Sequence, residues 1–452
     1  MLISIFTTKK IGIVTKLPNK ILMNLLKKRF AFLTLEKLLY ILILAFGLVK
    51  VISTGPIFFP DSRGYIGMEL FRSFGYPLFI HFHKIIFGNL FANAIIITQF
   101  LVTSFAALFF IHCLRKTFDF NKWFSLILFS VIMFSVFLGS MNANLILSEG
   151  LAYPLYLFIV GHILVGTIFK KNRSFYYAII LTFFLISVRG QFLFLVPVLL
   201  IAILLTYYKS IFHKNTVILI VSVITIPFFA VFTDIAFHKI KHKHAVPTPL
   251  TGVQISTIPF FVSDENDSIV FEDKNQRIYF QYVYAKLKEK KLLYSQHIEN
   301  PKKIEFFFDN YMLICNQTIF GDGMQTLKSS YTSEEKIIMS DKITSSMTFP
   351  LMKNNFKKCI SIYSSNFIKA FDTSKYLLLF ILLFIVSIAA LVKKENNLSK
   401  FIIILFFLIF GNNAIVAIAE PTFGRYIFYN NWILIAIFLL LFQINFKKKP
   451  NE

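Results

Sequence analysis

Cysteine is scarce, with 3 in 452 residues. Cys113, Cys315 and Cys359 form neither a CxxC pair nor a Cys/His metal spacing, and Cys315 with Cys359 fits a disulfide or two free thiols equally well. Charge is also sparse: 15% of residues are charged and 56% apolar, against roughly 25% charged in a soluble domain. That composition excludes a water-soluble or disordered chain. Acid is scarcest, 23 residues against 47 basic, for a net charge of +24. The excess base falls in short clusters between apolar runs rather than on one polar face, which argues against nucleic acid as a partner. No Ser/His/Asp arrangement or phosphate-cradling Gly-rich loop is evident, so soluble nucleotide chemistry is disfavoured. Internal repeats and inverted pairs of interrupted helices, the marks of many secondary transporters, are also missing. The first apolar stretch, Leu2 to Phe6, is short for a signal peptide and no small-residue cleavage site follows it.

What is present is apolar length. Runs occur near 38–54, 92–113, 123–140, 149–169, 174–188, 191–208, 216–236, 375–392, 400–418 and 430–446. Each approaches the roughly 20 residues a span needs. The expected fold is an all-α polytopic membrane protein of about ten transmembrane helices. Arg115, Lys116 and Lys122, then Lys170, Lys171 and Arg173, then Lys209 and Lys214, then Lys393 and Lys394 fall in alternate turns. The positive-inside rule therefore puts both termini in the cytoplasm. Residues 1–36 alternate Lys9, Lys10, Lys16, Lys20, Lys27, Lys28 and Arg29 with Ile, Leu and Met. This suits either a basic amphipathic helix on an anionic leaflet or a partly disordered topogenic tail. A membrane core then covers 37–236 with a first outer loop at 55–91. An extracytoplasmic domain follows at 237–373, C-terminal spans at 374–446 and a basic tail at 447–452. A multi-pass protein of the bacterial inner (cytoplasmic) membrane is the expected location.

Ionisable residues at span ends need a reason. Asp61, Arg63, Glu69 and Arg72 in loop one, Glu149, Arg189, and Glu420 with Arg425 share one expected depth on the outer side. An outward-facing polar pocket accounts for them; snorkelling explains isolated Arg or Lys but not the short-stemmed carboxylates. In loop one, Pro60 fixes the chain as it leaves the membrane, and Asp61 or Ser62 can cap a short helix. Tyr65, Ile66, Leu70 and Phe71 have the spacing for that helix to lie on the bilayer surface. Gly75-Tyr76-Pro77 turns the chain into a second apolar stretch.

These motifs resemble the lipid-linked-sugar transferases of the glycosyltransferase C superfamily, in particular the branch of bacterial aminoarabinose transferases and protein O-mannosyltransferases. The likeness rests on Asp61 with Ser62 and Tyr65, then Arg72 with Gly75-Tyr76-Pro77. It continues in Ser148-Glu149-Gly150 with Pro154, in Arg189-Gly190 with Pro197, and in Glu420 with Gly424-Arg425-Tyr426. It covers about 37–236 and 375–446. Ser73 stands where such enzymes often have a second Pro, and 237–373 matches nothing familiar. The resemblance implies an integral-membrane glycosyltransferase that inverts the anomeric centre. The sugar would pass from a polyprenyl-phosphate donor to a lipid, glycan or protein acceptor on the outer face, with membrane lipids around it.

Asp61 would accept the acceptor's proton. Arg189 and Arg425, backed by Arg63 and Arg72, would steady the phosphate leaving group. Tyr65, Tyr76, Glu149, Glu420 and Tyr426 complete the expected substrate contacts. Glu149 could equally hold the acceptor, support Asp61 or join a divalent metal site, or, like Glu420, simply be neutralised by Arg. No cofactor is certain from the sequence, and a divalent metal stays open.

His238 and His242 would share a helical face, a workable ligand spacing, but a Lys run surrounds them, and a basic collar on lipid phosphates is the better reading. His81 and His83 read as packing. Tyr279 to Leu287 reads as an amphipathic helix whose Tyr residues pack. Asp264, Glu265, Asp267, Glu272 and Asp273 lack EF-hand spacing. An envelope polysaccharide polymerase or ligase would need no loop-one aspartate. A lipid or glycan flippase would carry its polar residues near mid-membrane.

Overall fold

A computed structural model describes residues 34–299, 303–419, 421 and 424–447. Most of the basic segment 1–36, the Glu420 carboxylate and the tail beyond 447 lie outside the described residues. Eighteen α-helices, joined in places by short 3-10 or π turns, make up the described architecture. In chain order the first nine are α1 (Leu35–Thr54), α2 (Pro60–Gly67), α3 (Gly75–Phe87), α4 (Phe91–Phe118), α5 (Lys122–Phe137), α6 (Glu149–Phe169), α7 (Asn172–Val188), α8 (Leu195–Tyr207) and α9 (Lys214–His242). Then come α10 (Thr251–Val262), α11 (Lys274–Glu289), α12 (Lys303–Asp309), α13 (Ser333–Asn354), α14 (Phe356–Lys369), α15 (Ser374–Lys393), α16 (Asn397–Ala419), α17 (Gly424–Ile427) and α18 (Ile433–Lys447). Among the described residues the extended structure is an isolated bridge between Ile57 and Leu145.

Among the described residues seven helical stretches are long and apolar enough to cross a membrane: Gly75–Phe118, Glu149–Phe169, Gly190–Ser210, Lys214–His242, Ser374–Lys393, Asn397–Ala419 and Gly424–Asn445. The chain is an α-helical polytopic membrane protein. Lys122–Phe137 and Asn172–Val188 are shorter apolar helices. Several helices start where a side chain takes up an amide that the helix leaves unpaired. Thr34 accepts from Lys37 N, Asn121 from Trp123 N and Thr373 from Tyr376 N.

Polar contacts sort the helix ends into two groups. At one end Arg115 pairs with Glu36 at 2.6 Å, and the Gln443 amide reaches the carbonyls of Phe118 and Asp119. Tyr207 reaches Asn172, and Lys400 pairs with Glu395. The basic turns all belong to this end. Loop one, the Met141–Ser148 connection, Arg189 and α17 gather at the other. Between the ends, α4, α5, α6, α7, α8 and α16 bury a continuous apolar core that includes Phe110, Ile132, Tyr156, Leu199 and Leu405.

Beyond the site end stands a second core built by α10 to α14, around Phe260, Phe261, Tyr279, Phe280, Ile314 and Met347. It lies within the segment expected to form an outer domain. α9 has 29 residues, about 44 Å at 1.5 Å each, and so overshoots a hydrocarbon core of about 30 Å. Cys315 and Cys359 are both buried and not joined to each other, so the disulfide alternative is not realised. Tyr279 packs in this core with its hydroxyl on Ile319 O at 2.6 Å and on Ser340 at 2.8 Å. The acidic residues are absorbed locally: Asp267 takes the amides of Asn354 and Asn355, Asp264 pairs with Lys358, and Asp273 caps α11.

The histidine collar needs correcting. His238 is buried with Nδ1 on Val246 O, and His242 lies 2.7 Å from Glu334 and 3.0 Å from the carbonyl of Met68. His244 also reaches Glu334, at 3.3 Å. Asp234, one helical turn before His238, lies 3.9 Å from its Nδ1, whereas Glu334 arrives from ninety residues away. The histidines tie α9 to the start of α13 and to loop one rather than facing lipid. His83 packs as expected, its ring nitrogens on Phe79 O and Thr98.

Candidate functional site

α2 starts with Pro60 in its first turn, and the Ser62 hydroxyl accepts from Phe59 N at 2.9 Å. Ser62 therefore does the capping, and both Asp61 oxygens are left for other partners. The helix does not run on to Leu70 and Phe71. It stops at Gly67, and Met68 takes a left-handed conformation with φ 53°. That turn brings the following segment back, so that Arg72 Nη2 donates to Asp61 Oδ1 at 2.9 Å. Arg425, arriving on α17 from the far end of the chain, donates to Asp61 Oδ2 at 3.0 Å.

A deeper ion pair stands beside this one. Arg189, at the C-terminal end of α7, binds Glu149 at the start of α6 at 2.8 Å. Tyr65 and Ser148 link the two: the Tyr65 hydroxyl is 3.1 Å from Ser148 Oγ, which accepts from Arg189 at 3.2 Å. Tyr426 lies under both cations, its ring 4.8 Å from Arg189 and 4.7 Å from Arg425. The Arg72 guanidinium covers the Tyr65 ring at 4.6 Å. The site runs from an open edge, with the Asp61 side chain 33% and Arg425 37% exposed, to a buried floor where Glu149 is 3% exposed.

Two close approaches set this geometry. Gly75 lies against the backbone of Ser187, where a Cβ would meet carbonyl atoms at 2.7 Å. That contact presses loop one onto the end of α7 that carries Arg189. Gly150 lies against the Gln99 amide, where a Cβ would meet it at 2.4 Å. Gln99 in turn holds Ala143 O and Leu145 O and accepts from Tyr76.

Most of the expected constellation converges: Asp61, Tyr65, Arg72, Glu149, Arg189, Arg425 and Tyr426. Two residues do not join it. Arg63 is exposed on α2 and takes part in none of the ion pairs among the described residues. Tyr76 is fully buried behind Tyr65, its ring edge-on at 5.1 Å, and belongs to the packing of loop one rather than to a substrate surface. Two amides were missed. Gln191 accepts from Arg189 Nε at 2.8 Å and donates to Asn412 at 2.6 Å and to Tyr426 O at 2.8 Å. The only signal was Asn412-Asn413 inside an otherwise apolar run.

Among the described residues three guanidinium groups, Arg72, Arg189 and Arg425, form ion pairs with two carboxylates, Asp61 and Glu149, and such a gathering of guanidinium groups suits an anion. Burial pushes the Asp61 carboxyl upward, but Arg72 and Arg425 outweigh it and hold the group below its ordinary value. It is a carboxylate at neutral pH. A divalent ion does not fit the donors as arranged, because Asp61 and Glu149 are both already claimed by Arg. No three His, Cys, Asp or Glu side chains converge among the described residues. Nearby, α10, α13 and α14 enclose an apolar cavity of about 550 Å³. Ile258, Phe349, Met352 and Cys359 line it, with Ile418 from the site end of α16. Comparison with family models, curated proteins and solved structures finds no match for this chain.

Proposed function

We propose that this protein is an integral-membrane glycosyltransferase that moves a sugar from a polyprenyl-phosphate donor to an acceptor hydroxyl or amine with inversion. The observation that carries the reading is the grip of Arg72 and Arg425 on Asp61 at the open edge of the cluster. A phosphate entering there competes with Asp61 for the same guanidinium groups and so frees the carboxylate as it docks. The acceptor oxygen or nitrogen then attacks the anomeric carbon and the carbon–oxygen bond to phosphate breaks. The acceptor proton passes to Asp61, and polyprenyl phosphate leaves with its charge on Arg425 and Arg189. The buried Glu149–Arg189 pair, fixed by Ser148 and Gln191, forms the floor. The apolar cavity beside α16 supports a lipid substrate, since pockets of 300–1,000 Å³ suit such ligands.

In this reading α1 and the shorter α5 and α7 also cross, which gives ten spans. The basic end is cytoplasmic, both termini lie there, and the site faces outward across the inner membrane of a bacterium. The test is sugar transfer in membranes supplied with a lipid-linked donor, normalised to folded protein. Asp61→Asn keeps the size and removes the proton acceptor, so turnover should fall roughly 100-fold or more. Arg425→Ala should weaken donor binding as well as turnover. Near-wild-type transfer by Asp61→Asn would overturn the assignment.

A further inference from the structure

At the end of the bundle opposite the arginine–carboxylate cluster lies a polar cavity of about 270 Å³. Lys170, Tyr207, Lys209, Ser210 and Glu395 line it. The chain brings them together from three turns. Lys170 caps α6 in a left-handed conformation with φ 53°, Tyr207 ends α8 with Lys209 just beyond it, and Glu395 sits between α15 and α16.

The charge balance is uneven. Glu395 pairs with Lys400, whose side chain is 2% exposed. The Lys400 contact, together with the fields of Lys170 and Lys209, holds the Glu395 carboxyl below its ordinary value. One carboxylate thus faces three ammonium groups, and the buried Lys400 has taken it. Lys170 and Lys209 form no ion pair among the described residues, so two positive charges border a polar space that could receive an anion. Tyr207 is fixed by its hydroxyl on Asn172.

The rim indicates the source of that anion. Tyr208 is 56% exposed and Phe212 is 93% exposed, both in the turn that carries Lys209. Aromatic rings beside lysines mark the headgroup level of a bilayer. Tyr208 itself lines the cavity, and a site for a freely dissolved ion has no use for an exposed aromatic ring beside it. The surrounding turns, with Arg115, Lys171, Arg173 and Lys214, add a positive field that draws anionic lipids.

We propose that this cavity binds the phosphate of an anionic membrane lipid, held by Lys170 and Lys209 against the fixed Glu395–Lys400 wall. It is separate from the site built around Asp61 and does not depend on the reaction assigned there.

The test is native mass spectrometry of the purified full chain titrated with phosphatidylglycerol, with phosphatidylcholine as the zwitterionic comparison and inorganic phosphate as competitor. The variant Lys170→Gln with Lys209→Gln should weaken the tightest phosphatidylglycerol adduct about 10-fold or more. Lys393→Gln with Lys394→Gln removes the same charge from the same end without touching the cavity and should leave that adduct within about 2-fold. Thermal unfolding without added lipid shows whether both variants are folded. Equal weakening by the two variants would mean diffuse surface attraction and would overturn the site. Displacement of the adduct by millimolar inorganic phosphate, or binding of phosphate alone with no phosphatidylglycerol preference, would overturn the lipid as its occupant. Equal binding of phosphatidylcholine would overturn the selectivity for an anion.

Discussion

Asp61 stands in the first turn of α2, where a carboxylate can turn to unpaired backbone amides, yet both of its oxygens go to guanidinium groups and Ser62 takes the cap. Its folded pKa lies below the usual 3.8, so its ion pairs stabilise the native state above that value. The contribution is lost as pH falls through the lowered folded value. Thermal unfolding of wild type and Asp61→Asn should therefore differ by a constant amount across the neutral range and converge only in acid. A gap that closes near pH 6 would mean that the carboxyl is not held low. Glu149 and Arg189 predict a different pattern. Arg189→Met strands a buried carboxylate, at a cost of about 3–5 kcal/mol. The double variant with Glu149→Gln should recover much of that stability while transfer stays lost. Recovery of activity as well would show that the pair is only structural. The ionised members of the site were legible in the sequence because charge at a span end is conspicuous. Gln191 was not, since a neutral amide costs little in a loop, Asn412 stood out only as an amide inside the apolar run of α16, and Tyr76 was misplaced because loop-one spacing does not say which ring faces inward.

At the scale of elements, the end of α2 determines whether the site forms. A helix continuing to Phe71, as the apolar spacing suggested, would carry Arg72 away from Asp61. Gly67 and the left-handed Met68 stop it, with Met68 N on Tyr65 O at 3.2 Å and Glu69 N on Gly64 O at 2.9 Å. His242 then fastens this turn from outside, between Met68 O and Glu334. Replacing it by Leu removes both contacts while α9 stays helical. Hydrogen exchange of the amides from 66 to 72 should become at least several-fold faster, with the spans unchanged, and transfer should fall with it. Unchanged protection in that turn would mean that the tie carries no strain. None of this was legible, because the partners of His242 lie 174 and 92 residues away.

At the scale of the whole molecule, the alternation of basic and basic-poor turns in the sequence corresponds to two physically opposite ends. The basic turns share one, and the paired carboxylates and arginines share the other. Positive charge is held back from translocation, so these ends should lie on opposite sides of the bilayer, with the second core beside the outer one. The three native thiols are buried, which leaves a quiet background for introduced cysteines. Phe212 at the basic end is 93% exposed and Ile269 in the second core's domain is 77% exposed. In intact cells a membrane-impermeant maleimide should label Ile269→Cys at once and reach Phe212→Cys only after permeabilisation. The reverse pattern would turn the molecule over and place Asp61 on the cytoplasmic side, where an outward-facing transferase could not use it. Labelling of both in intact cells would mean that the chain between 212 and 269 does not cross, and α9, with its 29 residues, would have to lie along the surface.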